Sequence, residues 1–133
     1  MHTNILNSIA TLNSGVKGGV VSSNVRFSVS TFSFLLLMQK HGFIRNLRCI
    51  RLHRKSKNKI LQVFFTYVHS QALLFGIKSG SRPTRRFFVS AQDLYSCFKF
   101  HCVLLLHTHL GILTHTEALI LGIGGEIICF LYV

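Results

Sequence analysis

The stretch IRNLRCIRLHRKSKNKILQVFFTYV, residues 44–68, decides how the first half of the chain is read. Arg45, Arg48, Arg51 and Arg54 recur every three residues, with Ile44, Leu47 and Ile50 between them. Two readings fit that spacing: a helix with a basic stripe, or a strand running into a hairpin whose tip is Arg54 to Asn58. The following run, Ile60 to Val68, holds Val63, Phe64, Phe65, Tyr67 and Val68, and β-branched and aromatic side chains suit a pleated, half-buried surface. The hairpin explains both flanks at once and is the preferred reading.

Towards the N-terminus, Thr31 to Lys40 is continuous and apolar through Phe32, Phe34, Leu35, Leu36, Leu37 and Met38, with Gly42 a natural C-terminal stop. It is expected to be a helix. Val20 to Ser30, rich in Val and Ser, reads as a strand. Asn4 to Leu12 sets Ile5, Leu6, Ile9 and Leu12 on one helical face, and Gly15, Gly18 and Gly19 are expected to break that helix. Towards the C-terminus, Ser79 to Pro83 is a turn or connection and Phe87 to Val89 a short strand. Ala91 to Phe100 reads as a short helix and Val103 to Leu106 as a buried strand. After a loop from His107 to Gly111 comes a brief element around His115 to Leu121. Gly122, Gly124 and Gly125 form a turn, and Glu126 to Val133 closes the chain as a strand. Helices lead and short strands follow, which argues an α+β fold.

Charge narrows the partner. The 133 residues carry 15 Lys plus Arg against 3 Asp plus Glu, a formal +12. Such an excess repels itself unless a polyanion neutralises it. Nucleic acid is the commonest such polyanion and an anionic membrane surface the second. Seven of the basic residues fall between Arg45 and Lys59, and none follows Lys99. Recognition beyond Lys99 therefore rests on backbone N–H groups, hydroxyls or imidazoles. At 49% hydrophobic the chain can still build a core.

Several classes of function find no support. Mean hydropathy is +0.44, but the longest apolar stretch, Ala118 to Val133, has 16 residues interrupted by Glu126 and three glycines. A spanning helix needs about 20 continuous apolar residues, so no membrane is expected as a partner. Cys49, Cys97, Cys102 and Cys129 contain no CxxC pair and follow no secretory signal, which argues against a disulfide framework. Cys97, Cys102, His107 and His109 match no paired zinc spacing, so no metal is expected. Gly122 to Glu126 has the look of a nucleotide loop, but Ile127 stands where GxGxxG needs its last glycine, and no strand-to-helix unit precedes it. There are no paired carboxylates, and no Ser–His–Asp or Cys–His–Asn set is supportable. The expectation is no catalytic residue, no cofactor and no small-molecule substrate.

Three stretches carry a family resemblance. Gly122-Ile-Gly-Gly-Glu-Ile-Ile-Cys129 looks like the closing signature of the S-eight family of small-subunit ribosomal proteins. His107-Thr-His-Leu-Gly111, followed by Thr114, stands where that family has Ser-Thr-Ser-Lys-Gly and then a Thr. Ser81-Arg-Pro83 with Arg86, Phe87 and Phe88 matches its Ser-Arg/Lys-Pro turn, basic residue and aromatic. Weaker agreement runs through Leu6, Ile9, Gly42-Phe43-Ile44 and Tyr67, so the likeness spans the chain. The sequence departs from the family at His107 and His109 (serines), Leu110 (lysine), Thr84 (glycine), Phe88 (tyrosine) and Ala10-Thr11 (Arg-Asn).

The resemblance implies an N-terminal α/β lobe over residues 1–78, two helices with a small sheet. It implies a mostly β C-terminal lobe with a short helix over residues 79–133, carrying the main recognition loops. It further implies a structural constituent of the small ribosomal subunit that binds the central domain of small-subunit ribosomal RNA early in assembly, beside neighbouring ribosomal proteins. The first candidate site is His107, Thr108, His109, Gly111 and Thr114 with Gly124, Gly125 and Glu126. Thr108 supplies a hydroxyl, the imidazoles can donate to phosphate or stack, and the glycines allow close backbone approach or positive φ. Glu126 either accepts from a base amino group or braces the neighbouring loop. The second is Arg82, Arg85 and Arg86 beside Phe87 and Phe88, guanidinium for phosphate and a ring for stacking. Phe87 and Phe88 are adjacent on a strand, so one is expected in the core. The third is Arg51, Arg54, Lys55 and Lys57 in the hairpin, expected to grip backbone phosphate without reading sequence.

Two rivals remain: a basic peripheral membrane protein, which calls for long amphipathic helices, and a non-ribosomal RNA chaperone or regulator on the same fold. The family likeness begins almost at Met1, which leaves no room for a cleavable transit peptide. The Phe-, Leu- and His-rich composition with few acids points to a mitochondrial ribosome, with bacterial cytoplasm or plastid as alternatives.

Overall fold

The computed structural model describes residues 2–97 and 102–133. Helix α1 (His2–Lys17) buries Ile5, Ile9, Leu12 and Val16, spaced four, three and four apart, so that one stripe faces the core. It does not break at Gly15. That glycine lies against the sheet, where a Cβ would collide with the Ser23 hydroxyl and come 3.0 Å from the Phe65 ring. The break comes at Gly19, in the left-handed region at φ +66°.

Strand β1 (Ser22–Arg26) is shorter than expected because Ser28 starts a helix. Its extended backbone (φ −146°) and its hydroxyl, which accepts the Thr31 N–H at 3.1 Å, make it the N-cap of α2 (Val29–Lys40). The expected hairpin is present: β2 (Ile44–Arg51) pairs antiparallel with β3 (Lys59–Phe65), running from Leu47↔Val63 to Arg51↔Lys59. The sheet order is β1-β3-β2. Leu61, Val63 and Phe65 of β3 are buried under the two helices, while Ile60, Gln62 and Phe64 point the other way. A two-residue turn with positive φ at His69 and Ser70 joins β4 (Tyr67–Val68) to β5 (Gln71–Ala72).

The second sheet is built on β10 (Gly125–Tyr132). One edge of β10 takes β7 (Phe88–Val89) at its start and β6 (Gly76–Ser79) at its end; the other takes β8 (Cys102–Thr108). Strand β9 (Gly111–Thr114) pairs with β8 beyond. Helix α3 (Ala91–Cys97) covers part of the span expected to be helical; residues 98–100 of that span lie outside the described residues. Helix α4 (His115–Leu121) is the brief element expected there. It ends at Gly122, which caps it in the left-handed conformation.

Alternation decides what β8 does: Leu105 joins the large core with Cys129 and Leu131, and Leu106 joins a small one with Leu94 and Ala118 under α3 and α4. The large core also takes Ile5, Leu12, Phe34 and Met38, so α1 and α2 are packed together with residues of the second sheet. Burial raises the Cys129 thiol far above its ordinary range, so it remains protonated and inert. The architecture is α+β, two helices on a three-stranded sheet followed by a mostly β region with short helices.

Candidate nucleic-acid interface

Register brings the C-terminal candidates into one row. Phe88 of β7 lies opposite Glu126 of β10, which lies opposite His107 of β8, which lies opposite Ile112 of β9. The segments His107–Gly111 and Gly124–Glu126 are therefore neighbours. A Cβ on Gly125 would stand 2.6 Å from the His107 carbonyl oxygen and 2.9 Å from the Thr108 methyl. Gly124 is held as closely from the other side, by the Val89 carbonyl and the Ser90 Cα. Neither has positive φ. These glycines let three backbone segments close up; the freedom to adopt a left-handed conformation is used instead at Gly111 (φ +112°) and Gly122 (φ +67°).

The loop expected from His107 to Gly111 is narrower. Strand β8 continues to Thr108, and only His109 and Leu110 form the turn, both exposed. Thr108 is 5% exposed. Its hydroxyl donates to the Gly111 carbonyl at 2.9 Å and accepts the Leu110 N–H at 3.2 Å. It therefore shapes the turn and is not the outward donor expected of it. Thr114 is likewise turned inward. Only 2% exposed, it is the N-cap of α4, in a capping box where its hydroxyl accepts the Glu117 N–H and the Glu117 carboxylate accepts the Thr114 N–H at 3.1 Å. Glu126 is buried at 5% exposure. What this end offers outward is His109, Leu110, half-buried His107 and the backbone of the turn.

The basic–aromatic cluster continues the same edge. Arg82 and Arg85 exchange both backbone hydrogen bonds, at 2.9 and 3.1 Å, around Pro83 and Thr84. The buried Ser81 hydroxyl accepts the Phe87 N–H at 3.1 Å, and the Phe87 carbonyl accepts the Ile127 N–H at 2.9 Å, tying the arm to β10. The Arg85 guanidinium carbon sits 5.1 Å from the Phe87 ring centroid, a cation–π distance. Neither ring is in the core: Phe87 is 43% and Phe88 71% exposed. The alternation argument failed because β7 is two residues long and lies at the sheet edge.

Arg51, Arg54, Lys55 and Lys57 are all exposed and belong to the first sheet, at the tip of the β2–β3 hairpin. They lie on a different sheet from the other candidates.

Several residues that organise the site were not among the candidate site residues read from sequence. Ser81 positions Phe87. His115 is 8% exposed, and its Nδ1 accepts the Leu104 N–H at 3.1 Å. Burial holds its imidazole below the ordinary value. Glu117 was findable, since Thr114-His-Thr-Glu117 is a capping-box pattern. Burial pushes the Glu117 carboxyl up. The Lys40 and Thr114 hydrogen bonds and the Lys40 and His41 charges outweigh that and leave it below its usual value. Its Oε1 stands 3.0 Å from Lys40 Nζ, so α2 and α4 are tied together. Among the described residues no three His, Cys, Asp or Glu side chains come together to hold a metal. No helix among them is long and apolar enough to cross a membrane.

The fold and this surface define a basic α+β protein whose C-terminal edge presents rings and cations outward, while Asp93 and Glu117 serve local structure. The chain belongs to the ribosomal protein S8 family, whose model matches residues 3–132. Among its relatives, the small ribosomal subunit protein uS8 of Legionella pneumophila (strain Corby) is 34% identical over 70% of this chain and 70% of its own length. That of Geobacillus stearothermophilus is 32% identical over 71% of this chain and 70% of its own. The uS8 protein of Buchnera aphidicola subsp. Schizaphis graminum is 25% identical over 98% of this chain and 97% of its own.

Proposed function

We propose that this chain is a non-catalytic, structural constituent of the small ribosomal subunit, binding the central domain of small-subunit ribosomal RNA and supporting subunit assembly and translation. The observation that carries the reading is the edge where Arg82, Arg85 and Arg86 with two exposed rings adjoin the Phe88–Glu126–His107 row and the His109–Leu110 turn. Cations and exposed rings side by side suit phosphate contact and base stacking, and a rigid turn suits the irregular RNA elements where sequence is read. Residues 79–133 carry that surface. The hairpin of residues 1–78 supplies Arg51, Arg54, Lys55 and Lys57 as backbone-phosphate contacts. Neighbouring small-subunit proteins are the remaining partners. The chain's composition, rich in Phe, Leu and His and poor in acids, supports a mitochondrial ribosome as its location.

The test is co-sedimentation of the tagged chain from gradient-separated mitochondria at moderate salt, with sequencing of the RNA cross-linked to it. Recovery with the small subunit and central-domain RNA is expected. Recovery away from ribosomal particles, on other RNAs, would favour a chaperone or regulator on the same fold.

A further inference from the structure

Among the described residues, no element packs as a layer on the outer face of the β1-β3-β2 sheet. Among the described residues, α1 and α2 pack on the inner face; outward, Asn46, Arg48 and Ile50 of β2 are exposed and Gln62 and Phe64 of β3 are half-buried. Phe64 sits in the middle strand, directly opposite both Asn46 and Ser22. At its end the face opens into a groove of about 480 Å³ lined by Arg45, Asn46, Arg48, Phe64 and Tyr67 among others. That volume is on the scale of a small-ligand pocket.

The groove has fixed walls. The Tyr67 hydroxyl donates to the Val20 carbonyl at 2.6 Å, which pins that ring across the sheet. The Asn46 carbonyl oxygen accepts the Leu47 N–H at 2.8 Å, so the side chain offers its NH2 as a donor. Among the described residues no carboxylate pairs with Arg45 or Arg48. Asp93 is engaged with Ser90, Glu117 with Lys40 and Thr114, and Glu126 is buried in the other sheet. A ring on a flat, uncovered sheet with cations at its rim is the arrangement on which an unstacked base can lie while its phosphate is held.

Building on the RNA-binding reading above, we infer that this sheet face is a second RNA contact, independent of the C-terminal edge, that takes an unpaired nucleotide. The base stacks on Phe64, its polar edge meets the Asn46 amide, and the adjoining phosphate lies between Arg45 and Arg48. The occupant is single-stranded RNA because the two functions the groove supplies, a π-face and uncompensated positive charge, are the two that an unpaired nucleotide needs. An apolar protein surface would leave both guanidinium groups unmatched.

The experiment uses the full chain and two probes: a fluorescent short oligouridine, and a base-paired hairpin from the small-subunit central domain containing an internal loop. Phe64→Leu keeps the apolar contact with the sheet and removes the stacking plane. It should weaken oligouridine binding roughly tenfold, leave its salt slope unchanged and leave hairpin binding unchanged. Arg48→Gln, at an exposed position that does not threaten the fold, should lower the oligouridine salt slope by about one. A parent that binds the hairpin but not oligouridine, or a folded Phe64→Leu variant that binds oligouridine as the parent does, overturns the inference and leaves this face to a protein partner. A parent that binds neither RNA overturns the RNA-binding reading itself, which is a different result.

Discussion

At the level of single residues, the short hydroxyl side chains at the C-terminal edge are occupied by the backbone around them. Thr108, Thr114 and Gly125 were all singled out, and all three do their work inward. Thr108 and Thr114 both carry a hydroxyl two atoms from the backbone, and such groups find local N–H and C=O partners before distant ones. The spacing Thr114-X-X-Glu117 held that information for one of them; nothing in the sequence held it for the other. Thr108→Val removes two hydrogen bonds made by a buried side chain, so it should destabilise the chain by about 1–3 kcal/mol, measured as a fall in denaturation midpoint at unchanged slope. Any loss of RNA affinity should follow from a disordered His109–Leu110 turn. His115 makes a second, pH-dependent prediction. Its folded value lies below the ordinary 6.5 because burial disfavours the imidazolium, and the neutral ring is the form that accepts the Leu104 N–H. Above pH 6.5 both folded and unfolded chains carry it neutral. As pH falls below that, the unfolded chain binds a proton that the folded chain refuses, so stability drops, by at most ~1.4 kcal/mol per pH unit, until the folded value is reached. His115→Asn keeps an acceptor and removes the titration. A pH series of urea melts should show a shallower loss for the variant than for the parent.

At the level of elements, length and flanks decided what was legible. The β2–β3 hairpin was readable because strand composition lay on both sides of a charged tip, so no single residue had to carry the argument. Strand β6, only Gly76–Ser79, was missed because four residues give no period to count. Helix α1 was cut short on paper at Gly15, since the glycine's reason is tertiary: it admits Ser23 and Phe65, neither of which is near it in sequence. The candidate site divides in the same way, with the C-terminal edge found through motif likeness and the sheet face invisible until β1, β2 and β3 were laid side by side. The hairpin tip also makes the cleanest prediction about charge. Arg51, Arg54 and Lys55 are exposed and hold no ion pair among the described residues, so replacing all three with Ala should not lower the melting midpoint and, by relieving repulsion, should raise it slightly at low salt. RNA affinity should fall alike for cognate and scrambled central-domain fragments, and the slope of log affinity against log salt should lose up to about 2.7 units, about 0.9 per phosphate released. A variant that keeps the parent's slope but loses its preference for the cognate fragment would show that the tip reads sequence.

For the whole molecule, the governing fact is +12 on 133 residues with so little to offset it. Asp93 is spent on Ser90 at the start of α3, Glu117 on α4's cap and on Lys40, and Glu126 is buried in β10. Fifteen cations against three carboxylates leave the outer surface with a largely unopposed positive field. That field acts in opposite senses on the free chain and on its complex. In the free chain the cations repel one another across a compact surface, which lowers stability, and salt relieves the repulsion as the screening length shortens from about 30 Å at 0.01 M to about 10 Å at 0.1 M. In the proposed complex the same cations would displace condensed counterions from RNA, and salt would oppose that exchange by about 0.9 of a log unit in affinity per log unit of salt for each phosphate held on a duplex. The expected outcome is therefore a pair of trends from one titration series. Between low and moderate potassium chloride the melting temperature of the free chain rises, while its affinity for a central-domain RNA fragment falls along a straight log–log line. A protein whose basic residues were individually paired would show neither trend. A flat affinity plot would remove phosphate contact from the account of this surface, and a melting temperature that falls with salt would mean that ion pairs, not repulsion, dominate the free chain.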